Sequence, residues 1–184
     1  MRIIGGRLKG RIIQFLKTKN TRPLKDSVKE NIFNILTHSN EINVELKNAF
    51  ILDIYSGIGS FGLECLSRGA KMVTFVEIDL DASKILKENL LKLSIHKHAE
   101  IIKNRIENIK KWKKKYNIFF FDPPFKDIKF INNIKELKSQ KIYEKNHLII
   151  IHREKNSKDD FEGILKILNE KVYGRSKIIF GLFK

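Results

Sequence analysis

The chain has 184 residues and is 42% hydrophobic, which suits one globular domain with an adequate core and excludes a disordered chain. Its apolar runs fall far short of the ~20 residues of a membrane-spanning helix, and Met1 to Gly6 lacks the apolar stretch of a signal peptide, so a cytoplasmic protein with no membrane association is expected. The net charge of +16 favours nucleic acid or another polyanion as partner.

That charge is concentrated at one end. Residues 1–29 hold nine basic residues and one acid, Asp26, which is half the net charge in the first sixth of the chain. A Lys-, Ile- and Asn-rich codon bias alone spreads charge more evenly. Arg2 to Phe15 reads as two short strands about the turn Gly5 to Gly10, a basic hairpin too small for a core of its own and laid over a larger body. Residues 1–22 are expected to form this arm, and 23–184 a single globular unit. Arg2, Arg7, Lys9, Arg11 and Arg22 are its candidate RNA contacts. Lys17 to Thr21 is polar loop. A helix starts near Lys25 with Val28, Ile32, Ile35 and Leu36 on one face, and His38 to Lys47 is a polar linker.

From Ala49 onward strand and helix patterns alternate. Strands are predicted at Phe50–Tyr55, Met72–Val76, Glu100–Lys103, Asn117–Phe121 and His147–Ile151. Helices are predicted at Phe61–Ser67, Ala82–Leu93, Ile106–Trp112 and Ile128–Ser139. The lysines of Lys110 to Lys115 read as a solvated helix end. Ile164–Tyr173 and Ser176–Phe183 read as a hairpin about Gly174-Arg175. The pattern is an α/β fold whose sheet is mostly parallel, with an antiparallel C-terminal hairpin. Cys65, the only cysteine, reads as a small buried hydrophobe, and the five histidines show no ligating pattern, so no metal is expected.

Phe50 to Gly62 organises the rest. An apolar strand carrying Asp53 runs into Gly57, Gly59 and Gly62 and then into helical sequence. Glycine tolerates φ > 0 and lets a ligand touch the backbone, and the helix start offers unpaired N–H groups. The Gly-x-Gly-x-x-Gly spacing alone admits a dinucleotide, another adenosyl ligand or only a tight turn. Glu77, twenty residues past Gly57 at the end of the second strand, can bond ribose hydroxyls, whereas Asp79 reads as a helix cap. Asp53 within the strand is unusual for a dinucleotide turn and can meet the amino group of a methionine moiety. Tyr55 is counted with these cofactor contacts.

The sharper signal is Asp122-Pro123-Pro124-Phe125. Two prolines fix the backbone after a buried strand and present the Asp122 carboxylate and the Pro123 carbonyl as neighbouring acceptors. Such a pair holds both N–H donors of an exocyclic amine and frees the nitrogen lone pair for attack on a methyl sulfonium. Phe125 can stack on a base drawn out of its helix. No cysteine accompanies the prolines, so thiol attack on a pyrimidine is excluded.

Through Arg2 to Gly6, Lys9-Gly10-Arg11, Thr21-Arg22-Pro23, Asp26 to Glu30, Ile32 to Leu36, Asp53 to Gly62 and Asp122 to Phe125, the chain resembles the RsmD-type family of small-subunit ribosomal RNA guanine-N2 methyltransferases. The resemblance covers nearly the whole length. It implies a Rossmann-like class I methyltransferase fold, S-adenosyl-L-methionine as cofactor, and one guanine of 16S rRNA as acceptor. The acceptor is presented free or in an assembling small ribosomal subunit, to an enzyme expected to be monomeric. It also implies that Thr21 and Arg22 pack beside the cofactor, Arg22 being equally readable as a phosphate contact. Related enzymes carry an acidic residue after the third strand to meet the adenine amine. Here Asn104 or Arg105 stands in that place, and only the asparagine can accept the bond.

Three other readings compete. Adenine-N6 methylation of DNA or RNA favours Asn-Pro-Pro-Tyr over the Asp122 and Phe125 found here. A non-catalytic RNA-binding module on the same fold would be signalled by loss of Asp122 or the glycines, and all are present. For a dinucleotide-dependent dehydrogenase, no hydride-relay histidine with an acid partner stands out.

Overall fold

The computed structural model describes residues 1–15 and 24–184. Its strands are β1 (Phe50–Ile54), β2 (Met72–Val76), β3 (Ala99–Ile102), β4 (Tyr116–Phe121), β5 (Tyr143–Glu154), β6 (Leu165–Tyr173) and β7 (Ser176–Phe183). Among the described residues they form one sheet of order β3-β2-β1-β4-β5-β7-β6. The first five strands pair in parallel, and β7 runs antiparallel between β5 and β6. Helices α1 (Asp26–His38), α2 (Ser60–Ser67), α3 (Leu80–Lys92) and α4 (Phe130–Ser139) cover the sheet.

The period of two in each strand sends alternate residues to two separate cores. Ile118 and Phe120 of β4 join Ile51, Phe61, Phe75 and Leu86 on one face, whereas Phe119 and Phe121 join Phe130, Ile134 and Ile149 on the other. On the first face Phe61 stacks between Phe33 and Phe120, with centroids 5.4 and 4.0 Å away. Burial on both faces explains why the central strands read as near-continuous apolar runs. Cys65 lies fully buried in α2. Among the described residues no helix is long and apolar enough to cross a membrane.

Several elements differ from expectation. The N-terminal segment is not a pair of strands. A three-residue 3-10 turn, Gly6–Leu8, is closed by a single antiparallel bridge between Arg2 and Ile12. The segment lies tight against α2: Ser67 Oγ donates to the Gly5 carbonyl at 2.6 Å and accepts from the Leu8 amide at 2.9 Å. A side chain at Gly6, where φ is +72°, would collide with the Ser67 carbonyl. Ile3 and Ile13 enter the first core. The backbone donors are shared: Ile3, Gly10 and Ile13 pair across the turn with Arg11, Ile3 and Met1, whereas Ile4 and Leu8 go to side chains of α2.

The helix expected over 106–112 is only a 3-10 turn, Ile106–Asn108. Lys113 and Lys114 approach Glu100 at 3.7 and 3.5 Å, and Trp112 packs edge-on against Tyr116. In α1 the buried apolar face is Val28, Ile32 and Phe33, while Ile35 and Leu36 are only partly covered. Strand β5 runs twelve residues, because its polar start, Tyr143 to Asn146, pairs with β4 across a register shift.

Gly62 sets how closely α2 approaches the sheet: a Cβ there would drive into the Phe75 ring, and into Val73 Cγ1 at 2.8 Å. Gly62→Ala is expected to lower stability by about 1–3 kcal/mol through overpacking. A urea midpoint shifted down at constant slope tests this; an unchanged midpoint would mean the contact relaxes freely.

Candidate active site

Strand order reverses between β1 and β4, the place where open α/β sheets bind ligands beyond the carboxyl ends of their strands. Ile54 and Phe121 are register partners, and the Asp122 amide donates to the Ile54 carbonyl at 3.3 Å. The glycine loop after β1 and the Asp122 loop after β4 therefore leave the sheet side by side.

Alternation along β1 turns Asp53 toward α2. Its side chain is buried in a residue only 1% exposed, and Oδ2 accepts the Gly62 amide at 2.9 Å. Its other oxygen, Oδ1, is buried without a hydrogen-bond partner among the described residues, and so are Ser56 Oγ and Ser60 Oγ of the same loop. Buried polar atoms are ordinarily paired, so three orphans around one loop fit a polar ligand that brings its own donors. Burial pushes the Asp53 carboxyl well above the ordinary carboxylate range; Asp122 and Glu77 push the same way, and the Gly62 amide opposes them. Gly57 and Gly59 both take positive φ, +54° and +83°; a Cβ at Gly59 would strike Leu86, whereas the space at Gly57 is open.

Glu77 holds the loop from its other side. Its Oε2 accepts the Gly57 amide at 2.6 Å and its Oε1 the Asp79 amide at 2.8 Å. Asp79 caps α3, accepting from the Ala82 amide at 2.8 Å, as its position predicts. Beyond the loop lies a cavity of about 260 Å³ lined by Tyr55, Glu77, Ile78, Asn104, Ile106 and Asn133 among others. Tyr55 takes a positive φ of +58°, and its hydroxyl accepts from Asn133 Nδ2 at 2.7 Å. Burial and then Asp127 raise its phenol above the ordinary value. Asn104 Oδ1 accepts from the Arg105 amide at 2.8 Å and from Asn108 Nδ2 at 3.2 Å, so its oxygen serves the 3-10 turn as well as the cavity wall. A larger, open hollow of about 470 Å³ lies against β6 and β7, but it touches neither loop, and size alone does not choose the site. Of the residues singled out for the cofactor, Tyr55, Glu77 and Asn104 line the smaller one.

The Asp122 loop is clamped by residues that sequence reading did not single out. His152 and Arg153, at the carboxyl end of β5, both reach it. His152 Nδ1 lies 2.8 Å from Asp122 Oδ1, and Nε2 lies 2.9 Å from Ser176 Oγ of β7. Arg153, 1% exposed, donates from Nη1 to the Pro124 carbonyl and from Nη2 to the Phe125 carbonyl, each at 3.1 Å. Its Nε and Nη2 also donate to Asp159, and its guanidinium lies over the Phe130 ring at 4.4 Å. Asp122 keeps partial exposure, 23% of its side chain, and Oδ2 takes no hydrogen bond from another described residue. Pro123 is buried, Pro124 exposed, and Phe125 half-buried with its ring edge-on to His152. The signal was available: a His-Arg-Glu triplet ending a run of isoleucines puts polar groups where a buried parallel strand meets its ligand.

Arg2, Arg7, Lys9 and Arg11 are all exposed on the N-terminal segment, with Ile12 and Phe15 exposed beside them. Arg2 also stands 3.8 Å from Asp26. Thr21 and Arg22 lie outside the described residues.

The family model described as "Conserved hypothetical protein 95" matches residues 1–182. The chain is 37% identical to "Ribosomal RNA small subunit methyltransferase D" of Buchnera aphidicola subsp. Baizongia pistaciae, over 84% of this chain and 76% of that protein. It is 34% identical to the protein of the same name from Escherichia coli strain K12, over 68% of this chain and 61% of that one. Among solved structures, the yhhF protein of Escherichia coli superposes with a TM-score of 0.84 at 28% identity, covering 100% of this chain and 98% of that chain. An RNA methyltransferase from Salinibacter ruber, solved with S-adenosyl-L-homocysteine, shares the fold with a TM-score of 0.64 at 14% identity, over 86% of this chain and 92% of that chain.

Because the folded protein holds the Asp53 proton more tightly than the unfolded chain does, this group's contribution to stability falls as pH rises from about 4 toward neutrality. Asp53→Asn keeps an acceptor for Gly62 and removes that dependence. Its stability at pH 7 is expected to equal or exceed that of the parent, with the parent gaining on it as pH falls from neutrality to about 4 and no further change below. Parallel pH-stability curves for the two proteins would contradict this.

Proposed function

With the chain a member of the conserved hypothetical protein 95 family, the RsmD-type methyltransferases, we propose that it methylates small-subunit ribosomal RNA with S-adenosyl-L-methionine, at the exocyclic N2 amine of a guanine. The observation that carries this reading is the shared origin of the two loops: Asp122 is hydrogen-bonded to the end of the strand that carries the glycine loop. A donor seated over the glycines and an amine gripped by Asp122 would be neighbours.

S-adenosyl-L-methionine, when bound, supplies a methyl group on a sulfonium, already activated for displacement by nitrogen. The residues present fit it. Asp53 Oδ1 is an orphaned acceptor for the methionine ammonium. Glu77 uses one lone pair of each oxygen on backbone amides and keeps others for ribose hydroxyls. The cavity wall between Ile78 and Ile106 offers apolar faces to a purine, with Tyr55 and Asn104 at its edge.

On the acceptor side, Asp122 Oδ2 and the Pro123 carbonyl take the amine's two N–H groups and leave the lone pair free, and Asp122 receives the proton that the nitrogen sheds. Phe125 stacks on the base. No strong base is needed, and the work is positioning, which can contribute roughly 7–11 kcal/mol. Arg2, Arg7, Lys9 and Arg11 hold phosphates of 16S rRNA or of an assembling small subunit, and in this reading the enzyme works in the cytoplasm as a monomer.

Asp122→Ala is expected to abolish methyl transfer while leaving cofactor affinity within about tenfold, because that side chain serves the acceptor. Mass mapping of nucleosides after incubation with undermethylated 16S rRNA should give N2-methylguanosine; methylation at adenine would overturn the guanine assignment, and turnover by Asp122→Ala would remove that residue from the mechanism. Neutralising Arg7, Lys9 and Arg11 together should weaken RNA binding and reduce its salt slope by about one per lost phosphate contact. An unchanged slope would return those side chains to simple surface charge.

A further inference from the structure

We propose that His152 is a positioning residue of the methyl transfer, fixing the Asp122 carboxylate so that its second oxygen meets the acceptor amine. The proposal rests on the methyl-transfer reading above. A carboxylate on a loop has two side-chain torsions to settle, and a single strong hydrogen bond to one oxygen settles where the other points. His152 provides that bond: Nδ1 stands 2.8 Å from Oδ1.

The direction of the bond follows from chemistry. An ionised carboxylate can only accept, so Nδ1 carries the proton. In the neutral ring Nε2 is then an acceptor, and the Ser176 hydroxyl 2.9 Å away donates to it. The result is a relay of orientation across three strands: β7 fixes the tautomer, β5 carries the ring, and Asp122, just past the end of β4, receives the bond. His152 itself cannot swing, because its side chain is only 9% exposed and β5 is flanked by β4 and β7. The Phe125 ring meets the imidazole edge-on, with centroids 5.6 Å apart and planes at 81°. One histidine thus contacts both the residue that grips the amine and the residue that faces the base. The neighbouring Arg153 is bound to loop carbonyls and Asp159, so it does not compete for Asp122.

A residue acting through Asp122 should change turnover and not ground-state binding. His152→Ala is expected to lower kcat between about tenfold and a hundredfold, the range that an ångström of misplacement produces. KM for RNA and Kd for S-adenosyl-L-methionine should stay within about twofold. His152→Asn, whose amide nitrogen can stand where Nδ1 stands, should recover most of the loss. Ser176→Ala, a milder change, should lower kcat by a smaller factor and guards against a misfolded alanine variant at 152. Independently of activity, long-range 1H–15N spectra should show His152 as the Nδ1–H tautomer in the parent and lose that preference in Asp122→Ala. The proposal falls alone if the parent is active and His152→Ala turns over normally, if the asparagine variant is no better than the alanine one, or if the tautomer ignores Asp122. It falls together with the functional reading if the parent transfers no methyl group to ribosomal RNA while the tautomer still responds to Asp122.

Discussion

The buried hydrogen bond from the Gly62 amide to Asp53 fixes where this protein can bind a ligand. A carboxylate pointing sideways from the middle strand takes an unpaired donor at the start of α2. Only nine residues separate the two, so the chain between them must turn sharply, and glycines with positive φ allow it. The positive end of the α2 dipole favours the ionised form of that carboxyl, against the burial that favours the protonated one. Glu77 pins the same loop from β2 through Gly57. The loop is thus suspended between carboxylates of adjacent parallel strands.

A second set of buried charges does for the N-terminal segment what Asp53 does for the loop. Lys29 and Glu64 are both fully buried, 3.8 Å apart; Lys29 also donates to the Arg2 carbonyl, and Glu64 accepts from the Ile4 amide and from Arg68 Nε. Burial lowers the Lys29 pKa, while Glu64 and Asp26 oppose that shift. Such clusters contribute little net stability against an apolar alternative, but removing one member leaves the others unpaired. Here the cluster fixes register: it tells the segment where on α1 and α2 to lie. Its basic turn consequently sits at the Ser67 end of α2, about 10 Å along the helix from the glycine loop at 1.5 Å per residue.

Most of the framework was legible because the central strands are buried on both faces and bounded by glycine or proline. Phe50 to Gly62 and Asn117 to Phe125 announce strand, turn and loop with no help from distant residues. What escaped depended on contacts far apart in sequence. The Arg2 to Phe15 segment pairs with itself across its turn, but only briefly, because the intervening backbone groups are taken by Glu64, Ser67 and Asn89 of the helices beneath it. The lysine run after Ile109 has helical composition, but Lys113 and Lys114 are drawn to Glu100 of the neighbouring β3, a contact local sequence does not announce. His152 was passed over because strand β5 seemed to end at Ile151, although it extends to Glu154. Arg153 could be understood only once Asp159, six residues on, was seen folded back onto it.

Charge is sorted by sign in this molecule, and the sorting matches the two reactants of the proposed reaction. The exterior is strongly basic, as suits a polyanionic RNA. The strand tips hold Asp53, Glu77 and Asp122 close enough for the latter two to raise the proton affinity of the first. Three acids crowded in a basic protein are unfavourable until a cation joins them. S-adenosyl-L-methionine brings two positive centres, an ammonium and a sulfonium, and the demethylated product keeps only the ammonium. In the proposed reaction these acids therefore face two cationic centres in the donor and one in the product.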